Sequence, residues 1–464
     1  MHRILFITLE FSAATFSGNG VYAQSQVRSL TQLPETEVLV LSAKPCGHTG
    51  SSQAWGAQLL ELEVSRWGSL DASAPFDEFA SKAGGSTVRQ KVAEFDPSVC
   101  LFVDWSSLPA WEAVRPSLTR GIPAIYCNYR VFSRTETGEG LELVRRLEAE
   151  SMEKSAATVV LSASDRDYLL QNVSRCAASD SGKQSPCHVL LCALREELNS
   201  LPPPPDLGPL DFIQIQGMKA SNGLICQAGS PGMAALEGMA EHELSHSCEC
   251  PSSGGLTTAS SPSPAQLFQT GRPYLTCCVR LAREKEPERF VALVEQLAKD
   301  GSLQRHGLTP VLVGATNDSF AQGIKLRLQS AAPRSILIER FMGPQELATE
   351  VFSRTRLNVH PCTYDAFGMT IVEAASMGAP SIVHSHPGAV GAADLLQASN
   401  HEVVLENLAA EPPTLASRVV ALLDDGDKIL LVARRAAVRA RSWTEARNAL
   451  ELLHIIKQAT ACSA

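Results

Sequence analysis

The sequence predicts an α/β protein built from two doubly wound parallel-sheet domains that face each other across a cleft. Three observations predict it. Short apolar runs alternate with helix-like patterns over the first 200 residues, the alternation stops in a Pro/Ser/Gly-rich stretch, and it then restarts. Such alternation builds a parallel sheet with helices on both faces. At 464 residues the chain is long enough for two or three domains. One sheet made from all the strand candidates would exceed the usual core size.

Taken in order, the first strand candidates are 4–8, 38–41, 99–103, 122–126, 159–161 and 189–191, each short, apolar and rich in β-branched residues. Helical patterns lie between several of them, at 22–33 and 140–154. These assign residues 1–200 to an N-terminal, Rossmann-like domain. Residues 201–270 carry PPPP, SSPSP and weak periodicity, and read as a low-complexity linker or insertion that adds little to either core over 203–268. Strand candidates resume at 274–279, 311–313, 336–338, 357–360, 381–384 and 403–405. A helix over 286–298 places Phe290, Leu293, Val294 and Leu297 on one face. Residues 271–426 form the second Rossmann-like domain. A long helical pattern over 427–457 makes 427–464 a C-terminal helix, free to pack back towards the N-terminal domain.

Composition limits the function classes. A net charge of −9 argues against a general nucleic-acid binder, which needs a basic face. No apolar run approaches the roughly 20 residues of a membrane span, which leaves only peripheral membrane contact open. The opening MHRILFITLEF is interrupted by Glu10 and has no small-residue cleavage site after it, so it reads as a buried strand and not a signal peptide. The thirteen cysteines are scattered, several within strand candidates, as reduced buried thiols would be. A cytoplasmic location is the expectation.

In open parallel sheets ligands bind at the carboxyl ends of the strands. The stretch YDAFGMTIVEAASMGAP, residues 364–380, leaves such an end and enters a helix near Thr370 that Gly378 and Pro380 terminate. The backbone N–H groups of Ala366, Phe367, Gly368, Met369 and Thr370 then lie at a helix N-terminus, able to bind ligand oxygens. Asp365 stands at that mouth and Glu373 on the early turns. Together they can accept hydrogen bonds from the hydroxyls of a sugar and a ribose. Either alone reads as a cap or a surface residue. The pair around one Phe-Gly turn points to a ligand.

Directly after a strand, VRLAREKEPERF (279–290) places Arg280 and Lys285 on a strand-to-helix loop, with Arg283 beside them. Fixed cations there suit a diphosphate, although a solvated charge run has the same composition. In FSGNGVYAQSQVRSL (16–30), Gly18, Asn19 and Gly20 let backbone approach a ligand closely. The third glycine of a full GxGxxG would fall at Ala23, so a simple tight turn fits as well. A rival motif is His-Glu-Leu-Ser-His at 242–246, a literal HExxH with Cys248 and Cys250 after it. Zinc proteolysis needs that motif on a packed helix. Here Gly, Pro and Ser flank it, and no third ligand stands at a recognised spacing.

With these residues in view, the second half resembles the nucleotide-binding domain of retaining GT-B glycosyltransferases of family four. RLAREKE, VLVGA, FMGPQEL, DAFGMTIVEAASMGAPSIV and the turn at Gly388 carry the resemblance over 274–396. The N-terminal half is similar more loosely, through the glycine loop and AATVVLSASDRDYL. The family has Glu-x7-Glu where this chain has Asp365 and Glu373, one methylene shorter at the first position.

The resemblance implies that Asp365 and the amides after it hold the donor sugar, and that Glu373 holds the ribose. Arg280 and Lys285 would hold the diphosphate and stabilise the leaving group. It further implies retention at the anomeric carbon, no cofactor and no essential metal. The donor would be a UDP- or GDP-sugar, with an ADP-sugar also allowed, and the acceptor a glycan, lipid or small molecule. On the N-terminal side of the cleft Asp104, in LFVDWSS, stands near the position of a family histidine, and Arg130 is an acceptor-side candidate. A catalytically silent sugar-nucleotide-binding scaffold is the alternative that the Asp at 365 keeps open.

Overall fold

The computed structural model describes residues 1–11, 17–48, 53–65, 74–136, 138–174, 185–210, 262–386 and 388–463. Two parallel sheets organise them. The first contains β1 His2–Thr8, β2 Thr36–Pro45, β3 Gln58–Val64, β4 Val99–Val103, β5 Ala124–Asn128, β6 Ala157–Val160 and β7 Cys187–Val189, in the order β3-β2-β1-β4-β5-β6-β7. The second contains β8 Tyr274–Cys278, β9 Thr309–Val313, β10 Ile336–Ile338, β11 Thr355–Val359, β12 Ser381–His384 and β13 Val404–Glu406, in the order β10-β9-β8-β11-β12-β13. The central strands are buried on both faces, as the runs Ile4–Ile7 and Val99–Val103 require. In both sheets the order reverses beside the first strand, which opens a crevice at the carboxyl ends of β1 and β4 and again at those of β8 and β11.

Helix boundaries follow local chemistry. The first helix, Gly18–Thr31, begins four residues earlier than its apolar pattern, because the Ser17 side chain accepts from the Asn19 N–H and caps it. The glycine loop is therefore the helix's first turn. The helix Pro287–Lys299 buries Phe290, Leu293, Val294 and Leu297 as its period predicts. The strand β3 and the helices Ala74–Ala83 and Ser86–Phe95 were not anticipated.

The expected 427–457 helix is two helices, Gly426–Ser442 and Glu445–Ser463. The chain turns at Trp443, whose indole N–H donates to the Leu191 carbonyl at 3.0 Å, while the Leu194 N–H donates to the Trp443 carbonyl. The second helix then lies on the Gly18–Thr31 helix: Ser25 Oγ donates to Glu445 at 2.6 Å, and Asn448 meets the Tyr22 hydroxyl.

The segment expected to add little to the cores is anchored at both ends. Leu207 and Phe268 are fully buried in the core of the second sheet. Arg272, itself without exposed surface, donates to Asp206 at 2.6 Å and to the carbonyls of Met377 and Gly378. Within a segment that reads as linker by composition, Leu207, Ala265 and Phe268 supply apolar side chains to this core. Residues 211–261, including His-Glu-Leu-Ser-His, Cys248 and Cys250, lie outside the described residues. Cys100, Cys127, Cys192 and Cys277 are free and buried, and among the described residues no helix is long and apolar enough to cross a membrane.

Candidate functional site

The carboxyl ends of β8 and β11 bring Lys285 and Asp365 together. Pro361 and Cys362 carry the chain out of β11, and Asp365 is fixed from both sides by backbone. Its N–H donates to the Ala389 carbonyl at 2.8 Å, and its carbonyl accepts from Gly391 at 3.1 Å. Lys285 arrives on the turn after β8, which is tied to the same loop by a 2.5 Å hydrogen bond from the Thr363 N–H to Glu286. Lys285 Nζ then donates to Asp365 Oδ2 at 2.7 Å.

A third group, absent from the sequence expectations, completes the cluster. His360 Nε2 lies 3.0 Å from the same Asp365 oxygen. Burial pushes the Asp365 carboxyl up, but Lys285 and His360 outweigh it and hold the group well below the usual carboxylate range. Burial likewise lowers the Lys285 ammonium, and the Asp365 charge more than restores it, leaving it raised.

Immediately beyond Asp365 the helix Met369–Ser376 starts from Gly368, whose φ of 86° is a left-handed conformation suited to glycine. Among the described residues the N–H groups of Ala366, Phe367, Gly368, Met369 and Thr370 donate to no protein acceptor. They form a row of donors at a helix N-terminus beside a fixed ammonium, an arrangement that binds anionic oxygen. The Thr370 hydroxyl is turned away, donating to the Cys278 carbonyl. Glu373 is buried one turn further on and accepts from Arg195 at 2.5 Å. Arg195 lies between the two sheets in sequence, and only the tertiary fold reveals the pair. The half-exposed guanidinium of Arg280 pairs with Glu284.

On the N-terminal side, Asn19 Nδ2 donates to Asp104 Oδ2 at 2.6 Å, and the Tyr129 N–H donates to Oδ1 at 2.9 Å. The carboxyl ends of β1, β4 and β5 thus converge on one carboxylate. Burial raises Asp104 to about 7 against the pull of these two donors. Gly18 and Gly20 flank Asn19, and a Cβ at Gly18 would meet nothing. Arg130, after β5, donates to Thr135 at 3.0 Å and covers the Phe132 ring. Its charge is near enough to oppose that of Lys285, so the two halves of the candidate site face one another.

His360, Cys362 and Asp365 could jointly offer ligand atoms to a metal, all within 4.8 Å of one another. The surroundings do not suit a cation. Lys285 already places an ammonium on Asp365. His360, despite burial, is raised to about 9 by Cys362 and Asp365 and so carries its own proton at neutral pH. The cluster fits as a self-neutralised ion group.

A family model described as Glycosyl transferases group 1 matches residues 272–425. No curated protein matches the sequence. Among solved structures, the sucrose-phosphate synthase of Thermosynechococcus elongatus is similar at 15% identity and a TM-score of 0.70, with 100% of both chains covered. Anabaena HepE (Alr3699), solved with UDP and glucose, is similar at 14% identity and a TM-score of 0.61, covering 98% of this chain and 100% of that one. An α,α-trehalose-phosphate synthase (UDP-forming) from Burkholderia xenovorans, in complex with glucose-6-phosphate, is similar at 12% identity and 0.62, again over 98% and 100%. Residues 272–425 thus match the Glycosyl transferases group 1 domain, and the two sheets of the chain adopt the GT-B fold.

Proposed function

We propose that this protein is a retaining glycosyltransferase that moves a sugar from a nucleoside-diphosphate-sugar to an acceptor hydroxyl. One observation carries the reading: a carboxylate and an ammonium, Asp365 and Lys285, are paired at the mouth of a row of N–H groups that have no acceptor among the described residues, at a strand-to-helix junction. The amides and Lys285, with Arg280 nearby in sequence, would receive the diphosphate. Asp365 would hold the sugar hydroxyls and Glu373 the ribose. Gly18, Asn19, Gly20 and Asp104 would close the donor site from the other lobe, with Arg130 towards the acceptor. In this reading residues 1–200 form the acceptor lobe, 271–426 the donor lobe and 427–464 the segment that returns to the first lobe. The structures of HepE with UDP and with UDP-glucose support a uridine nucleotide donor.

Calorimetry with free nucleoside diphosphate and with intact donor, EDTA present throughout, tests the division of labour. Charge grows on the leaving diphosphate as the bond breaks, so Lys285→Ala should lower kcat by about 10²–10³. Glu373→Gln should weaken both ligands and appear in the donor KM. Asp365→Ala should leave diphosphate affinity intact or improved, because Lys285 is released, while use of the intact donor fails. Equal loss of diphosphate affinity in Asp365→Ala and Glu373→Gln overturns the sugar-versus-ribose division. Activity lost in EDTA and restored by magnesium overturns the metal-free one. Donor binding without turnover would mark a silent scaffold, the alternative that the shorter Asp365 side chain keeps open.

A further inference from the structure

We propose that Tyr364 is a positioning residue: docked on Asp165 and Arg134 of the opposite lobe, it sets the adjacent Asp365 against that lobe. The Tyr364 hydroxyl donates to Asp165 Oδ1 at 3.0 Å. Arg134 Nη1 donates to the same oxygen at 2.8 Å and to Ser164 Oγ at 2.9 Å. The Arg134 guanidinium also lies over the Tyr364 ring, 4.3 Å from its centroid. Asp165 is 1% exposed. A carboxylate buried that deeply is tolerated only while its donors are in place, and one of its side-chain donors comes from the other lobe.

Two further contacts continue this seam. The Ala163 N–H donates to Asp394 at 2.7 Å, and a Cβ at Gly388 would drive into Ser164. Tyr364 is covalently next to Asp365, while Gly388 and Asp394 bracket the 389–391 segment that holds the Asp365 backbone. The seam therefore grips the carboxylate's loop on both sides. A small opening between the lobes would move Asp365 relative to Asp104 and Arg130 and leave Lys285 and the amide row, which belong to one lobe, undisturbed.

The kinetic arm of the test rests on the transfer reading above, and an exchange arm does not. Tyr364→Phe keeps the ring stack and removes one hydrogen bond. It should lower kcat for transfer by about tenfold, the factor for one such bond felt in the transition state. Affinity for free UDP should stay within about twofold, since the groups proposed for its diphosphate and ribose, Lys285, the amide row and Glu373, all belong to the second lobe. Asp165→Asn should behave alike, and the double variant should be no worse than either single one, as expected of residues acting as a unit. Hydrogen–deuterium exchange should rise together in 131–135, 162–168 and 388–394, with both sheet cores unchanged. UDP affinity falling in step with kcat, or seam exchange equal to wild type, overturns the proposal. A wild-type protein that neither binds UDP nor transfers sugar overturns the function proposed above, and the exchange comparison still decides this one.

Discussion

His360 couples the site to pH. Its ring shares the Asp365 oxygen with Lys285. Burial disfavours the charged ring, yet Cys362 and Asp365 raise it from 6.5 to about 9. A group whose folded value exceeds its unfolded one adds stability that is complete below the unfolded value and disappears as pH rises through the folded one. The wild type should therefore lose stability between pH 6.5 and about 9, and a His360→Gln variant should lose less over that range. Thermal melts of both proteins across the window measure the difference. Parallel curves would mean that another group titrates there. Asp365, held low, stays ionised throughout.

The loop-and-helix unit at 365–376 depends on one close backbone approach. Gly391 has ordinary dihedrals, but a Cβ there would press into the Ala366 carbonyl oxygen, and main chain cannot swing aside as a flexible side chain can. Gly391→Ala should cost about 1–3 kcal/mol and weaken diphosphate binding by tilting the Ala366–Thr370 amides, as denaturant melts and calorimetry would show. Sequence alone could find this unit because Asp365, the amides and Glu373 sit on one continuous strand-loop-helix segment whose spacing is local. The Lys285 turn was legible for the same reason. The partners were not: Arg195 reaches Glu373 across 178 positions and Asp165 reaches Tyr364 across 199, and no local period encodes such pairs. β3 was missed because it is a half-exposed edge strand with glutamates between its leucines. The break at Trp443 was missed because its cause, docking on Leu191, belongs to the tertiary fold.

At the scale of the whole molecule, the segment between the lobes is anchored at its ends by Asp206, Leu207, Phe268 and Arg272. Replacing 211–261 by a short flexible linker should leave both lobes folded and transfer intact, which would also dispose of His-Glu-Leu-Ser-His as the active motif. Removing 203–268 instead deletes Asp206 and strands the buried Arg272 charge, a loss of about 3–5 kcal/mol. Urea melts of the two deletions should separate them, and equal stability would refute the anchoring. The helix Glu445–Ser463 raises a different matter, the order in which the lobes are finished. Glu445 binds Ser25 across 420 positions, and Leu452, Ile455 and Ile456 share a core with Tyr22, Val27 and Leu30. A ribosome delivers the first helix long before the helix that covers it. The first lobe to emerge therefore carries an open apolar face while the second is being made. Birth order and completion order run in opposite directions, and the lobe made first is sealed by a helix made after the second lobe.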